Sequence, residues 1–167
     1  METEPSEVAS ARQGDPTSGL SQPASPRLEV GVAIPALEIS AVPTGPMKVM
    51  ALVLRDPNPI HFDTESLRRL DLPERPINQG PNNVGYVLNS LTAWAGDPGA
   101  VEAFHVRFLA NVLAGDRVVT GGQVTEISGD GQDQVVTCSV WLDRGPGHDQ
   151  DRVLEGTARV RLRGARG

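Results

Sequence analysis

The second half of the chain carries an apolar pattern with a period of two. Phe104, Val106, Phe108, Ala110 and Val112 alternate with His105, Arg107, Leu109 and Asn111, which predicts a half-buried strand. After the turn Ala114-Gly115-Asp116, residues Arg117 to Ile127 predict a second strand, with Gly121-Gly122 marking a bulge or bend. Ser128-Gly129-Asp130-Gly131 reads as a hairpin turn. Gln134 to Leu142 follows as a third strand, with Val136, Cys138, Val140 and Leu142 on one face. A polar loop from Asp143 to Asp151 leads into a fourth, Arg152 to Arg163. In that strand Leu154, Gly156, Ala158, Val160 and Leu162 point inward, and Glu155, Thr157, Arg159, Arg161 and Arg163 outward. Ahead of the strands the period changes. Val84, Val87, Leu88, Leu91 and Ala95 keep helical spacing, so Pro81 to Trp94 is predicted as the main helix, with Gly80 before it and Gly96 to end it. Gly85 costs a helix about 1 kcal/mol relative to Ala, which predicts a neighbour close to its backbone. Asn82, Tyr86 and Asn89 are polar groups on this largely apolar helix and are expected to face a site or a partner chain.

The first half is less regular. Met1 to about Pro26 is rich in Glu, Ser, Pro, Gly and Gln, with almost no large apolar side chains, and is expected to be a disordered tail. Val30 to Val42 predicts an extended entry broken by Pro35 and closed by Pro43-Thr44-Gly45-Pro46. The unbroken apolar run Lys48 to Leu54 is expected to be a strand buried on both faces. Thr64 to Leu70 predicts one or two helical turns. One helix followed by a run of antiparallel strands argues an α+β fold, as a single domain over 27–167.

Composition narrows the function classes. A net charge of −6 disfavours non-specific binding to nucleic acid or anionic membrane. No apolar run reaches the length of a membrane span, and the N-terminus lacks the basic-then-apolar order of a secretory signal, so a soluble cytoplasmic protein is expected. Cys138 is the single cysteine, which leaves neither an internal disulfide nor a cysteine metal cage.

The densest chemistry lies in Arg55-Asp56-Pro57-Asn58-Pro59-Ile60-His61-Phe62-Asp63. Pro57 and Pro59 hold their own φ near about −65° and push their predecessors toward extended conformations. The segment therefore reads as a stiff loop that holds Asp56 and His61 in fixed relative positions, as general acid–base chemistry requires. The plainer reading of His61 is a structural histidine held by Asp56 or Asp63. A metal site of Asp56, His61 and Asp63 is disfavoured, because the prolines prevent a helix that would align the three. His105 reads as a surface or dimer contact, His148 as solvated, Cys138 as a core thiol, and Tyr86 and Trp94 as packing. Arg159, Arg161 and Arg163 read as the charged face of a strand in preference to a phosphate site.

The stretch Asp56-Pro57-Asn58-Pro59-Ile60-His61-Phe62-Asp63 resembles the hydratase signature of the MaoC-like, or R-specific enoyl-CoA hydratase, family. Ile77-Asn78-Gln79-Gly80 falls where that family has the glycine opening its central helix, and Val106 to Val124, with Gly115-Asp116, is similar to the strand pair that follows. The resemblance covers roughly Arg27 to Leu162. It implies a hot-dog fold, a curved antiparallel sheet wrapped around one long central helix and paired into a dimer with itself or a related subunit. It implies hydration or dehydration of a 2-enoyl or 3-hydroxyacyl thioester carried on coenzyme A or an acyl carrier protein. In that reading Asp56 and His61 flank the water, the Gly80 amide stabilises the developing oxyanion, and Asn58 orients the dyad. Asn58, Arg55, Gln79, Asn82 and Tyr86 lie where they would meet substrate. No metal or redox cofactor is implied. Arg55 stands where the family commonly has Gly, and Gln79 where many members have His.

Two other readings stay open. The same scaffold can serve as an isomerase or cyclase with Asp56 or His61 as a lone base, or as a non-catalytic partner subunit. For the tail, the expectation is direct: deleting Met1 to Leu20 leaves the melting temperature within a few degrees, as for a change below about 1 kcal/mol. A thermal melt checks it, and a large drop would show that the tail docks on the domain.

Overall fold

The computed structural model describes residues 28–130, 133–145 and 151–163. The predicted tail, the tip of the hairpin at 131–132 and His148 lie outside them. The elements are β1 (Glu38–Ile39), α1 (Thr44–Leu54), a 3-10 turn (Pro59–His61), α2 (Thr64–Arg69), α3 (Gly80–Ala95), β2 (Val101–Phe108), β3 (Val118–Asp130), β4 (Asp133–Arg144) and β5 (Asp151–Arg163). The strands form one antiparallel sheet in the order β1-β3-β4-β5-β2. This is the α+β architecture expected, with α3 against one face of the curved sheet.

The core follows from the alternation. On β4 the buried residues are Val136, Cys138, Val140 and Leu142, and on β5 Val153, Leu154, Ala158 and Val160. They meet Val87 and Leu91 of α3, four residues apart and therefore on one helix face. Burial pushes the Cys138 thiol up to about 11, which keeps it protonated and inert. The outer face carries ion pairs instead. Arg159 and Arg161 both reach Glu102, and Arg107 reaches Glu155. The extended entry runs along β3, through Gly31 N–H to Val124 O at 2.8 Å and Ile34 N–H to Gly122 O at 2.9 Å.

Four expectations need correction. Lys48 to Leu54 is not a strand but most of helix α1. Thr44-Gly45-Pro46 opens it, a proline being tolerated in a first turn, and Arg55 ends it in the left-handed conformation. Only Met47 and Ala51 of α1 are buried, while Val49, Leu52, Val53 and Leu54 are exposed. Gly121-Gly122 is not a bulge, since its register across β4 is unbroken; the irregularity falls between Val124 and Glu126. The two glycines instead make room, one for the Trp141 ring and the other for Ile34. Gly85 has nothing within 4 Å of where a Cβ would stand, so close packing does not account for it. The strand expected over Phe104 to Val112 ends at Phe108, and Val112 is buried in the following loop.

Gly156 is a position where absence of a side chain decides the sheet. A Cβ there would lie 2.0 Å from the His105 carbonyl oxygen and 2.7 Å from Val106 Cα, both backbone atoms of β2. Backbone in a paired strand cannot yield as a side-chain tip can. Gly156→Ala is therefore expected to separate β2 from β5 and cost about 3 kcal/mol or more, a fall in melting temperature of roughly 6 °C or more. Differential scanning calorimetry measures it, and an unchanged Tm would show that the β2–β5 contact is looser than described.

Candidate active site

The dyad loop is held by its own backbone. Asp56 N–H donates to Ala51 O at 2.9 Å, which ties the carboxylate-bearing residue to the end of α1. Asn58 N–H donates to Asp56 Oδ1 at 3.0 Å, and Asn58 Oδ1 in turn accepts from Ile60 N–H at 3.3 Å. Asn58 is thus the cap of the 3-10 turn and a brace for the Asp56 carboxylate, a local turn role that suits a short amide side chain. His61 lies at the end of that turn with its side chain 12% exposed, and its Nε2 is 3.5 Å from Asp56 Oδ2. Its other nitrogen, Nδ1, lies 2.6 Å from Ile77 O. A carbonyl only accepts, so Nδ1 carries a proton, and in that tautomer of the neutral ring Nε2 turns its lone pair toward the carboxylate. Asp63 takes no part in this. Its oxygens accept from Glu65 N–H and Ser66 Oγ–H at the start of α2, and the Ser66 hydroxyl in particular holds its carboxyl below the usual range.

Ile77 joins this loop to the start of α3. Its N–H donates to Ile60 O at 3.0 Å while its carbonyl accepts from His61 Nδ1–H, so one residue grips both sides of the turn. The next residue, Asn78, donates from its N–H to Val112 O at 2.7 Å. A cluster of amides then builds the helix start. Asn78 Nδ2 donates to Asn83 Oδ1 at 2.7 Å, Asn82 Nδ2 to Asn78 Oδ1 at 3.0 Å and to Gln79 Oε1 at 3.2 Å, and Gln79 Nε2 to Met47 O at 2.8 Å. Asn78, Gln79 and Asn83 are buried. Tyr86 reaches Asn78 from the next turn; burial pushes its phenol pKa up, with the Asn78 hydrogen bond opposing. Gln79 and Asn82, expected to meet substrate, spend their side-chain amides on this cluster, and Asn83 faces inward. Gly80 opens the helix and Pro81 has no N–H to offer. The Gly80 N–H finds no acceptor among the described residues. It is an unspent donor at the positive end of a 16-residue helix. A side chain at position 80 would strike the Phe108 ring, whose Cζ lies 2.9 Å from the Cβ position.

An open cleft of ≈ 650 Å³ reaches Asp56 from outside, lined by Lys48, Ala51, Leu52, Arg55, Asp56, Pro57 and Phe62. Its size is that of a small-molecule site. One wall is the exposed side of α1, which the reading as a strand had hidden. Arg55 has φ 51° and ψ 40°. A side chain there costs about 1 kcal/mol or more, a cost that glycine would not carry.

A family model described as "MaoC like domain" matches residues 38–143, which include every residue of the dyad loop and helix start. The chain belongs to the MaoC-like domain family. Three solved structures have the same fold as this MaoC-like chain. The (R)-hydratase from A. caviae involved in PHA biosynthesis superposes with a TM-score of 0.69 at 22% identity, over 82% of this chain and 98% of that one. R-hydratase PhaJ1 from Pseudomonas aeruginosa gives 0.67 at 19%, over 85% and 86%. A chain of the ChsH1-ChsH2 complex from Mycobacterium tuberculosis gives 0.62 at 24%, over 81% and 97%. No curated protein matches. The expected hot-dog fold is the fold observed.

Within this MaoC-like domain the structure brings Asp56, Asn58 and His61 together and sets Arg55 at the mouth of the cleft. Sequence reasoning missed Lys48, Phe62, Ile77 and Phe108. Ile77 acts through its peptide groups, which no side-chain pattern reveals. Lys48 was placed in a buried strand, although a lysine in such a strand was itself a sign against that reading.

Proposed function

We propose that the chain is a hydratase or dehydratase of 2-enoyl or 3-hydroxyacyl thioesters. The observation that carries this reading is the facing of His61 Nε2 and Asp56 Oδ2 at 3.5 Å with Nδ1 committed to Ile77 O. With Nε2 unprotonated both are acceptors and do not hydrogen-bond each other, and a water donating one hydrogen to each satisfies both. The water oxygen then keeps its lone pairs for the β-carbon of an enoyl thioester. As it attacks, one member of the pair takes a water proton, hydroxide adds to the β-carbon, and a proton is returned to the α-carbon. Charge passing to the thioester oxygen in between meets the unspent Gly80 N–H, at the helix end where an anion is favoured. The reverse sequence eliminates water from a 3-hydroxyacyl thioester. A water held between the two groups serves hydration and has no use in an isomerisation. The resemblance to R-hydratases supports the same chemistry.

The reading includes a second chain. β2 is an edge strand with a free side, and Phe108 and Leu109 near its end are exposed apolar residues. A symmetric dimer, or a pair with a related hot-dog subunit, covers such an edge and buries at least ~1,000 Å².

Two measurements test this. Asp56→Asn and His61→Ala are each expected to lower turnover of crotonyl or longer enoyl thioesters by at least ~10²-fold, with the melting temperature preserved as the control. Full activity in either variant would remove that residue from the chemistry. Sedimentation at micromolar concentration is expected to give twice the mass of one chain; a stable, active monomer would show that the site is complete without a partner.

A further inference from the structure

Both members of the dyad are suspended from one turn, residues 113–116. On one side of it lies segment 76–78, whose Ile77 carbonyl holds His61. Asn78 N–H donates to Val112 O at 2.7 Å and Ala114 N–H to Pro76 O at 2.8 Å, with Ile77 facing Leu113 between them. On the other side lies the chain that enters α1. Gly115 N–H donates to Val42 O at 2.8 Å, and Val42 N–H donates to Asp116 O at 2.8 Å. Helix α1 begins just after Val42, and its far end is tied to Asp56.

Asp116 closes this turn with all of its polar groups. Its N–H donates to Leu113 O at 3.0 Å, and its Oδ2 accepts from Leu113 N–H at 2.9 Å. Its Oδ1 accepts from the guanidinium of Arg75, the residue that leads into segment 76–78. Arg144 of β4 approaches Oδ2 to 4.0 Å and donates to Asn111 O. The Asp116 side chain is only 11% exposed. A carboxylate has two accepting oxygens, so it holds a donor inside the turn and a donor beside the site segment at once. Asp116 does not line the cleft at Asp56, so any effect on the reaction passes through the backbone.

We infer that Asp116 is a positioning residue of the dyad: by fixing the turn at 113–116 it sets where the Ile77 carbonyl meets His61 and where α1 delivers Asp56. Removing the carboxylate leaves Leu113 N–H without its acceptor and frees Arg75, so the turn relaxes. Both supports of the dyad then shift, and a misplacement of about 1 Å costs a reaction ~10²-fold in rate. The kinetic part of this inference rests on the hydratase reading; the placement of His61 is read without turnover.

The full chain is compared with Asp116→Ala, Asp116→Asn, Arg75→Gln and Asp143→Ala. The last is the control, since Asp143 is a similarly covered carboxylate, 16% exposed, paired with Arg152 away from the turn. Two readouts are taken: kcat and KM with crotonyl-coenzyme A, and the nitrogen–proton NMR signals of the histidine rings, with His61 assigned by its loss in His61→Ala. Asp116→Ala is expected to lower kcat by ~10²-fold with KM held within about threefold. Its His61 signal is expected to move from the Nδ1–H form toward a mixture of tautomers, with faster exchange of the ring proton. Asp116→Asn keeps one oxygen for Leu113 and gives up Arg75, and Arg75→Gln gives up the same contact from the other side. These two are expected to lose kcat alike, by about threefold, as for one half-exposed charge contact, and to shift the His61 signal the same way. Asp143→Ala is expected to leave kcat and the His61 signal at parental values. A parental His61 signal in Asp116→Ala, or an equal loss of kcat in Asp143→Ala, overturns the inference. If Asp116→Ala does not fold, the other two decide, and parental His61 signals in both overturn it. A parent that turns over no thioester, with a His61 signal that moves in Asp116→Ala and not in Asp143→Ala, sinks the hydratase and keeps the positioning role. Normal turnover and an unmoved signal in Asp116→Ala do the reverse.

Discussion

The site depends on one peptide segment, residues 76–78, being held from both sides at once. Ile77 N–H and C=O grip the turn that carries His61, Asn78 N–H is bound by Val112 O, and Ala114 N–H donates to Pro76 O at 2.8 Å. Each of these is an ordinary hydrogen bond, worth about 1 kcal/mol net. Together they leave the segment no independent motion. The same few residues then lead into Gly80, so the imidazole and the free amide are positioned by one continuous stretch of backbone. A shift of α3 relative to the sheet therefore carries the histidine with it.

Much of this was legible in the sequence, for physical reasons that differ by element. Strands β4 and β5 were readable because one face is buried and the other wet, which writes an alternation into the side chains. Helix α3 was readable from its spacing together with Pro81 and Gly96. The dyad was readable because two prolines restrict the loop and leave Asp56 and His61 few relative positions. Helix α1 was not. A helix that buries only Met47 and Ala51 and leaves Val49, Leu52 and Val53 in solvent shows no 3.6-residue period, and its apolar run imitates a buried strand. The roles of Gly121 and Gly122 were hidden because the same residue serves a bend and a close approach equally well.

The misread helix also hid the cleft. Asp56 follows α1 directly, so the direction in which α1 runs decides what stands beside the carboxylate. A strand buried on both faces would have left no wall there. The exposed side of α1 makes one, and it sets Lys48 of the helix and Arg55 at its cap in the same cleft as Asp56.

The helix start is built from Asn78, Gln79, Asn82 and Asn83, and none of these side chains titrates. Their mutual hydrogen bonds are between neutral groups, so acidity and added salt leave them alike. Burial pushes the pKa of the nearby Tyr86 phenol further above its ordinary value. The frame around the Gly80 amide is thus electrically constant, while ionisable side chains gather around Asp56. The molecule sets a neutral anchor beside a cluster of ionisable groups, and what joins them is a single peptide unit.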